Sequence, residues 1–273
     1  MSPVVAVLLG VVEGLTEYLP VSSTGHLILA SHFLGQESEG ADAFDIVIQL
    51  GAILAVVVQY RKLLAMRVVG LARRERASVQ LLLALALGFV PTAIAGLLLR
   101  KKIKALLFGP TPVAAALIVG GIVMIVIEAI RALRAKGRPE DEQSGLVGLE
   151  HVTPKRAFLI GLGQCVSMWP GSSRSMCTIV AGQLTGLSTA TAAEFSFLLG
   201  LPTLGAATLY EMLKSRHALA EIGVANVAIG LVVSFVVAWA VIAAFIAYLK
   251  KRGLVPFGIY RILLGIGVLA LLR

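Results

Sequence analysis

Three stretches of the chain, residues 77–99, 105–127 and 222–249, contain no Asp, Glu, Lys or Arg. Each is long enough to cross a hydrocarbon core of about 30 Å as a helix. This constrains the fold more than any other feature. A chain in lipid must satisfy its backbone N–H and C=O groups internally, and apolar runs of this kind do so as α-helices. Three further segments cross while carrying few charged groups: about 44–60 with Asp45, 191–213 with Glu194 and Glu211, and 254–272 with Arg261. Composition agrees, with 58% hydrophobic and only 14% charged residues, where a soluble domain is about one quarter charged. The expected class is an all-α integral membrane protein with six transmembrane helices.

Two regions do not fit a plain crossing. Residues 2–19 are apolar, Pro20 interrupts, and Ser22 to Leu34 is apolar again; thirteen helical residues reach only about 20 Å. Pro154 to Met168, Pro170-Gly171 and Ser172 to Leu184 have the same form. Proline and glycine between short apolar runs predict two re-entrant helix pairs, tolerated where the broken backbone is enclosed by protein or lines a wet cavity. The two misfits also resemble each other. Gly10-Val11-Val12-Glu13 aligns with Gly161-Leu162-Gly163-Gln164 at an offset of 151. Leu19 to Ser23 aligns with Trp169 to Ser173 at 150 after a one-residue gap, and Phe44 to Gly51 resembles Phe195 to Gly200. A helix pair followed by three crossings has odd parity, so the halves are expected to be inverted-topology repeats, 1–136 and 152–273. A polar linker, about 131–153, joins them within one membrane domain, 1–273. Sites in such folds lie near the midplane, at the interface of the repeats.

The net charge of +9 reads as positive loops at a membrane surface, and no basic-aromatic interleaving suggests nucleic acid as a partner. Segments 61–78, 131–156 and 250–253 hold fifteen Lys and Arg, against seven on the other side, which places the first group in the cytoplasm. The cluster Arg100-Lys101-Lys102-Ile103-Lys104 opposes that bias. The first residues lack a basic region ahead of their apolar run and flow into Glu13 and Glu17, so they are expected to be retained and not cleaved as a signal peptide. Cys165 and Cys177 match no metal-binding spacing and read as packed thiols.

The chemistry concentrates around the breaks. Glu13 and Glu17 are four apart on a helix, with Cβ atoms about 5–6 Å from each other. Two carboxylates so placed either share a proton or hold a cation between them, so both are candidate acid–base groups and tentative metal ligands; a polar rim near the headgroups is the plain alternative. Ser22, Ser23 and Thr24 open the second short helix, where hydroxyls usually cap, yet free N–H groups at a helix start also suit phosphate. His26 lies one turn beyond Ser23, as a satisfied core histidine or as a catalytic one. Arg174, between the charge-free runs 157–173 and 175–193, needs an anion, and its planar fork matches phosphate or carboxylate. A structural bridge to Glu17 would serve as well.

Glu-x-x-x-Glu followed by Ser-Ser-x-Gly-His (Glu13, Glu17, Ser22 to His26), with Pro-Gly-x-Ser-Arg-Ser-x-x-Thr later (Pro170 to Thr178), resembles the bacterial undecaprenyl-diphosphate phosphatase family of the bacitracin-resistance type. The likeness runs through nearly the whole chain. It implies an enzyme, a hydrolase of a phosphoric anhydride that converts undecaprenyl diphosphate to undecaprenyl phosphate and inorganic phosphate. Such a reaction recycles the lipid carrier for peptidoglycan and removes the target of bacitracin. The resemblance further implies a multi-pass protein of the plasma (inner) membrane, acting at its outer face and aided by a divalent cation, Mg²⁺ or Ca²⁺; a homo-oligomer is compatible with it. The expected catalytic set is Glu13, Glu17, Ser23, His26 and Arg174, with Ser23 the nucleophile ahead of Ser22 and direct attack by water as an alternative. Ser22, Thr24, Ser173, Ser175 and Thr178 form the expected phosphate-binding set. A carrier that returns the lipid phosphate across the bilayer is the rival reading, because inverted repeats and broken helices recur in transporters.

Overall fold

The computed structural model describes residues 1–36, 38–107, 109–136 and 145–271; of the linker at 131–153, residues 137–144 lie outside the described residues. Twelve α-helices are named here. Helix α1 (Pro3–Thr16) is followed by α2 (Ser23–Phe33), α3 (Glu39–Gln59), α4 (Arg61–Ala72), α5 (Arg76–Leu107) and α6 (Pro110–Ala135). Then come α7 (Pro154–Gln164), α8 (Arg174–Leu184), α9 (Thr189–Lys214), α10 (Arg216–Ile222), α11 (Val224–Leu249) and α12 (Val255–Leu271). Among the described residues the only β-type pairing is the bridge between Leu146 and Leu187.

Among the described residues, five helical segments are long and apolar enough to cross a membrane: Gly40–Gln59, Arg76–Leu99, Pro110–Ala135, Thr189–Lys214 and Val224–Leu249. The expected crossing at 254–272 forms α12, a shorter apolar helix of 17 residues. The run 105–127 does not make one helix. Its first residues extend α5, and the next helix starts at Pro110, because Gly109 takes φ 140, a conformation open to glycine, and proline is preorganised for a first helical position. Apolar side chains face outward as a lipid solvent requires, with Leu97 and Leu98 86% and 75% exposed on α5.

The helix pairs start alike. Ser2 and Thr153 cap α1 and α7 by accepting from Val5 N–H and Arg156 N–H, and Pro3 and Pro154 occupy the first turn. Ser22 and Ser173 cap α2 and α8, both with positive φ, 75 and 70. The caps Ser2 and Thr153, the caps Ser22 and Ser173, and both bounds of α2 and α8 are 151 apart. The one-residue gap of the sequence alignment therefore disappears at the second helix of each pair, although α1 and α7 end at Thr16 and Gln164, 148 apart. Matching Ser-Ser with Ser-Ser suggested 150, whereas backbone conformation pairs Ser22 with Ser173 and Ser23 with Arg174.

Contacts cross between the halves: α1 lies along α11, α7 along α5, α3 along α9, and α6 along α12. Small residues permit this, since lipid offers helices no hydrophobic drive to associate and close backbone contact must hold them together. A Cβ on Gly14 would sit 2.6 Å from the Ser234 carbonyl oxygen, and one on Gly161 would strike the backbone of Gly88. The crossings bring the two breaks, Glu17–Val21 and Cys165–Ser172, together, with Arg261 donating to the Pro20 carbonyl of one and the Gly171 carbonyl of the other.

Candidate active site

Break one presents a carboxylate and a hydroxyl, and break two presents a guanidinium. Arg174 Nη2 lies 3.1 Å from Glu17 Oε1, with side chains 8% and 5% exposed. Ser23 Oγ donates to Glu17 Oε2 at 2.6 Å. Glu17 thus stands between a hydroxyl it is placed to deprotonate and a cation that holds its charge. The neighbouring Ser22 is spent otherwise, its Oγ accepting from Gly25 N–H at 3.3 Å.

Arg174 is clamped on every side. Nη1 donates to the Ser196 carbonyl at 2.8 Å and to Ser196 Oγ at 3.2 Å. The guanidinium lies over the Tyr18 ring, 5.8 Å from its centroid. A Cβ on Gly200 would approach Arg174 Cζ to 3.3 Å, so glycine there admits the head group. Tyr18 is itself fixed by its O–H donating to the Ala52 carbonyl at 2.8 Å.

Two groups in this setting are left open. Both carboxylate oxygens of Glu13, which is fully buried, lack a hydrogen-bond partner, as does Arg174 Nε. Buried polar groups are almost always satisfied, so Glu13 and Arg174 Nε are positions where a further hydrogen-bonding or ionic partner could be taken up. The matching position of the second pair bears no charge: Gln164 Nε2 donates to Thr92 Oγ1 at 2.8 Å and Thr203 Oγ1 at 3.4 Å. Among the described residues no cluster of three or more His, Cys, Asp or Glu forms a complete metal cage. Glu13 with Glu17 nonetheless fits Mg²⁺, which is commonly held by one or two carboxylates, with substrate phosphate and water completing its shell.

The remaining expected residues fall into place differently. Ser173 Oγ accepts from Met176 N–H and lies 3.0 Å from Ser175 Oγ. Ser175 Oγ donates to the Leu19 carbonyl at 2.9 Å and so ties break two to break one. Thr178 Oγ1 donates to Ser196 Oγ at 2.6 Å and supports the residue that supports Arg174. Thr24 is exposed. His26 meets other groups than Ser23: Nδ1 lies 2.8 Å from the Ser22 carbonyl, and Nε2 2.6 Å from Tyr260 Oη.

Sequence reasoning missed three residues. Ser196 sat inside the repeated stretch Phe195–Gly200, and its neighbours drew the attention. Tyr260 carried no signal at all. Arg261 was treated as a tolerated charge in a crossing, but it is fully buried and pins both breaks. Its Nη1 donates to the Pro20 carbonyl at 3.2 Å, and Nη2 to the Gly171 carbonyl at 2.9 Å and the Ala116 carbonyl at 3.0 Å. The signal available in the sequence was an arginine inside an apolar run, 254–272, that holds no Asp or Glu to pair with it.

The family model described as bacitracin resistance protein BacA matches residues 6–267. The chain belongs to that family. It is 59% identical over 266 residues, 97% of this chain and 84% of the other, to a protein of Sorangium cellulosum named undecaprenyl-diphosphatase. Proteins of the same name from Novosphingobium aromaticivorans and Deinococcus radiodurans are 47% and 44% identical over 96% of the chain, covering 95% and 93% of their own lengths. This BacA-family chain is aligned with these relatives over 96–97% of its length, and Glu13, Glu17, Ser23 and Arg174 lie inside the residues the family model matches.

Proposed function

We infer that the protein is an undecaprenyl-diphosphate phosphatase, releasing inorganic phosphate and leaving undecaprenyl phosphate for cell-wall synthesis. Through loss of the diphosphate it confers bacitracin resistance. The relatives' names support the substrate, and the observation that carries the chemistry is Glu17 held between Ser23 Oγ and Arg174.

In the first step Ser23 Oγ attacks the terminal phosphorus. Its proton passes to Glu17 Oε2, and the bond to the bridging oxygen breaks, so that undecaprenyl phosphate leaves. In the second step water attacks the phosphoserine, inorganic phosphate departs and Ser23 regains a proton. Arg174, through Nε and Nη2, neutralises charge on the transferred oxygens, the chief requirement of phosphoryl transfer. A divalent ion held by Glu13 and Glu17 supplies further charge neutralisation for the diphosphate when bound.

The chain forms one membrane domain, 1–273, of two inverted repeats, 1–136 and 152–273, with six crossings and two re-entrant pairs. The 151-residue spacing of the caps at the start of each helix in the two pairs supports the repeat. The excess of positive charge in 61–78, 131–156 and 250–253 supports a site that opens to the outer face of the inner membrane.

The test uses purified protein in detergent with undecaprenyl diphosphate and no gradient. Phosphate release is expected, which a carrier would not give. Ser23→Ala is expected to lower the rate by about 10³-fold or more, with Ser22→Ala far milder. Near-normal release by Ser23→Ala would assign the attack to water.

A further inference from the structure

His26 and Tyr260 form a polar pair that the Ser23–Glu17–Arg174 line does not use. Their rings are stacked, 5.6 Å between centroids and 6° from parallel. The Ser22 carbonyl can only accept, so Nδ1 carries the ring hydrogen, and in the neutral imidazole Nε2 accepts the Tyr260 O–H at 2.6 Å. Tyr260 is 45% exposed, on a helix face it shares with Ile259, Leu263 and Ile266, themselves 49–64% exposed. A hydroxyl on a lipid-facing wall has no water to satisfy it. Here His26 Nε2 accepts that hydroxyl, so the pair satisfies itself.

Ser23 is 7% exposed, His26 is partly exposed one turn along α2, and Tyr260 looks outward. Ser22, the residue next to Ser23, holds His26 Nδ1 through its carbonyl at 2.8 Å, and Tyr260 Oη lies 2.6 Å from the other ring nitrogen, so Ser23, Ser22, His26 and Tyr260 follow one another from the buried hydroxyl outward. Tyr260 is also held firmly, because the next residue, Arg261, is bonded to carbonyls of both breaks and of α6.

We propose that Tyr260, with His26, is the seat of the lipid-linked phosphate, at the mouth through which the polyprenyl chain passes into the membrane. The inference rests on the phosphatase reading and deepens it by assigning the substrate's direction. The terminal phosphoryl group lies at Ser23 and Arg174, the inner phosphate at the His26–Tyr260 edge, and the isoprenoid along Ile259 and Leu263. An incoming phosphate oxygen takes over the Tyr260 O–H from Nε2. Nδ1–H stays on the Ser22 carbonyl, and Nε2, released by Tyr260, donates to the same phosphate once it has taken a proton.

The test measures binding of farnesyl phosphate and of farnesol to the full chain in lipid nanodiscs, for wild type and Tyr260→Phe. Phenylalanine keeps the ring stack and removes only the hydroxyl. Farnesyl phosphate is expected to bind about 10-fold more weakly to the variant, with farnesol unchanged. Unchanged binding of farnesyl phosphate would overturn the proposal. So would equal weakening of both ligands, which signals a distorted mouth, or a wild type that does not prefer the phosphate. Phosphate release by the wild type is read separately, so failure of the phosphatase reading is distinguishable from failure of the seat.

Discussion

Glu17 shows how one side chain acquires a role from two distant partners. Its carboxylate is bonded to a serine six residues away and to an arginine 157 residues away. Arg174→Lys keeps the charge but cannot span Glu17 and the Ser196 carbonyl together, because an ammonium is a point and not a planar fork. Its phosphate release is expected to fall about 10²-fold, measured at saturating undecaprenyl diphosphate. Glu13 behaves otherwise, since its orphaned oxygens contribute nothing to the empty fold that a neutral amide would lose. Glu13→Gln is expected to keep or raise the thermal unfolding midpoint while shifting the Mg²⁺ concentration for half-maximal activity upward about 10-fold. An unshifted Mg²⁺ titration would exclude Glu13 as a ligand.

The two capped helix starts, α2 and α8, are the elements that aim the chemistry. Ser22 and Ser173 hold left-handed backbone, which costs an L-residue other than glycine about 1–2 kcal/mol, and each recovers part of this through its cap. Ser173→Gly relieves the backbone and Ser173→Ala does not, while both lose the cap. Chemical unfolding is expected to find the glycine variant more stable than the alanine variant by about 1 kcal/mol. Helix crossings offer a parallel contrast. Gly14 meets the α11 backbone, whereas nothing lies within 4 Å of a Cβ on Gly205. Gly14→Ala is expected to lose about 1–3 kcal/mol by overpacking, and Gly205→Ala to be neutral or slightly stabilising, as judged by thermal inactivation. Element positions were largely legible because apolar runs, Pro20, Pro154 and Pro170 mark them, whereas the helix start at Pro110 fell inside a run read as one crossing. The register of the second break was not, since residue identity favoured one offset and backbone conformation another.

For the whole molecule, Arg261 binds Pro20, Gly171 and α6 at once and so fixes the distance between the halves. Arg261→Met removes those donors from buried carbonyls and is expected to cost about 3 kcal/mol or more, lowering thermal stability and turnover together. A fall in turnover with unchanged stability would show that the breaks find their register without it. Topology is read independently by labelling single cysteines with a membrane-impermeant reagent. Positions 35 and 74, both exposed, are expected to react from the outer and the cytoplasmic side respectively.

By itself the sequence determined the helical membrane class, the two interrupted pairs and the polar residues beside them, because those follow from local hydropathy, proline placement and the cost of charge in lipid. Only the tertiary structure decided that Ser23 and not Ser22 meets Glu17, that His26 turns to Tyr260, and that Ser196 and Arg261 hold the site together. Those contacts join residues from 6 to 241 apart, some within a half and some across the halves, and no periodicity along a single chain records which faces will meet.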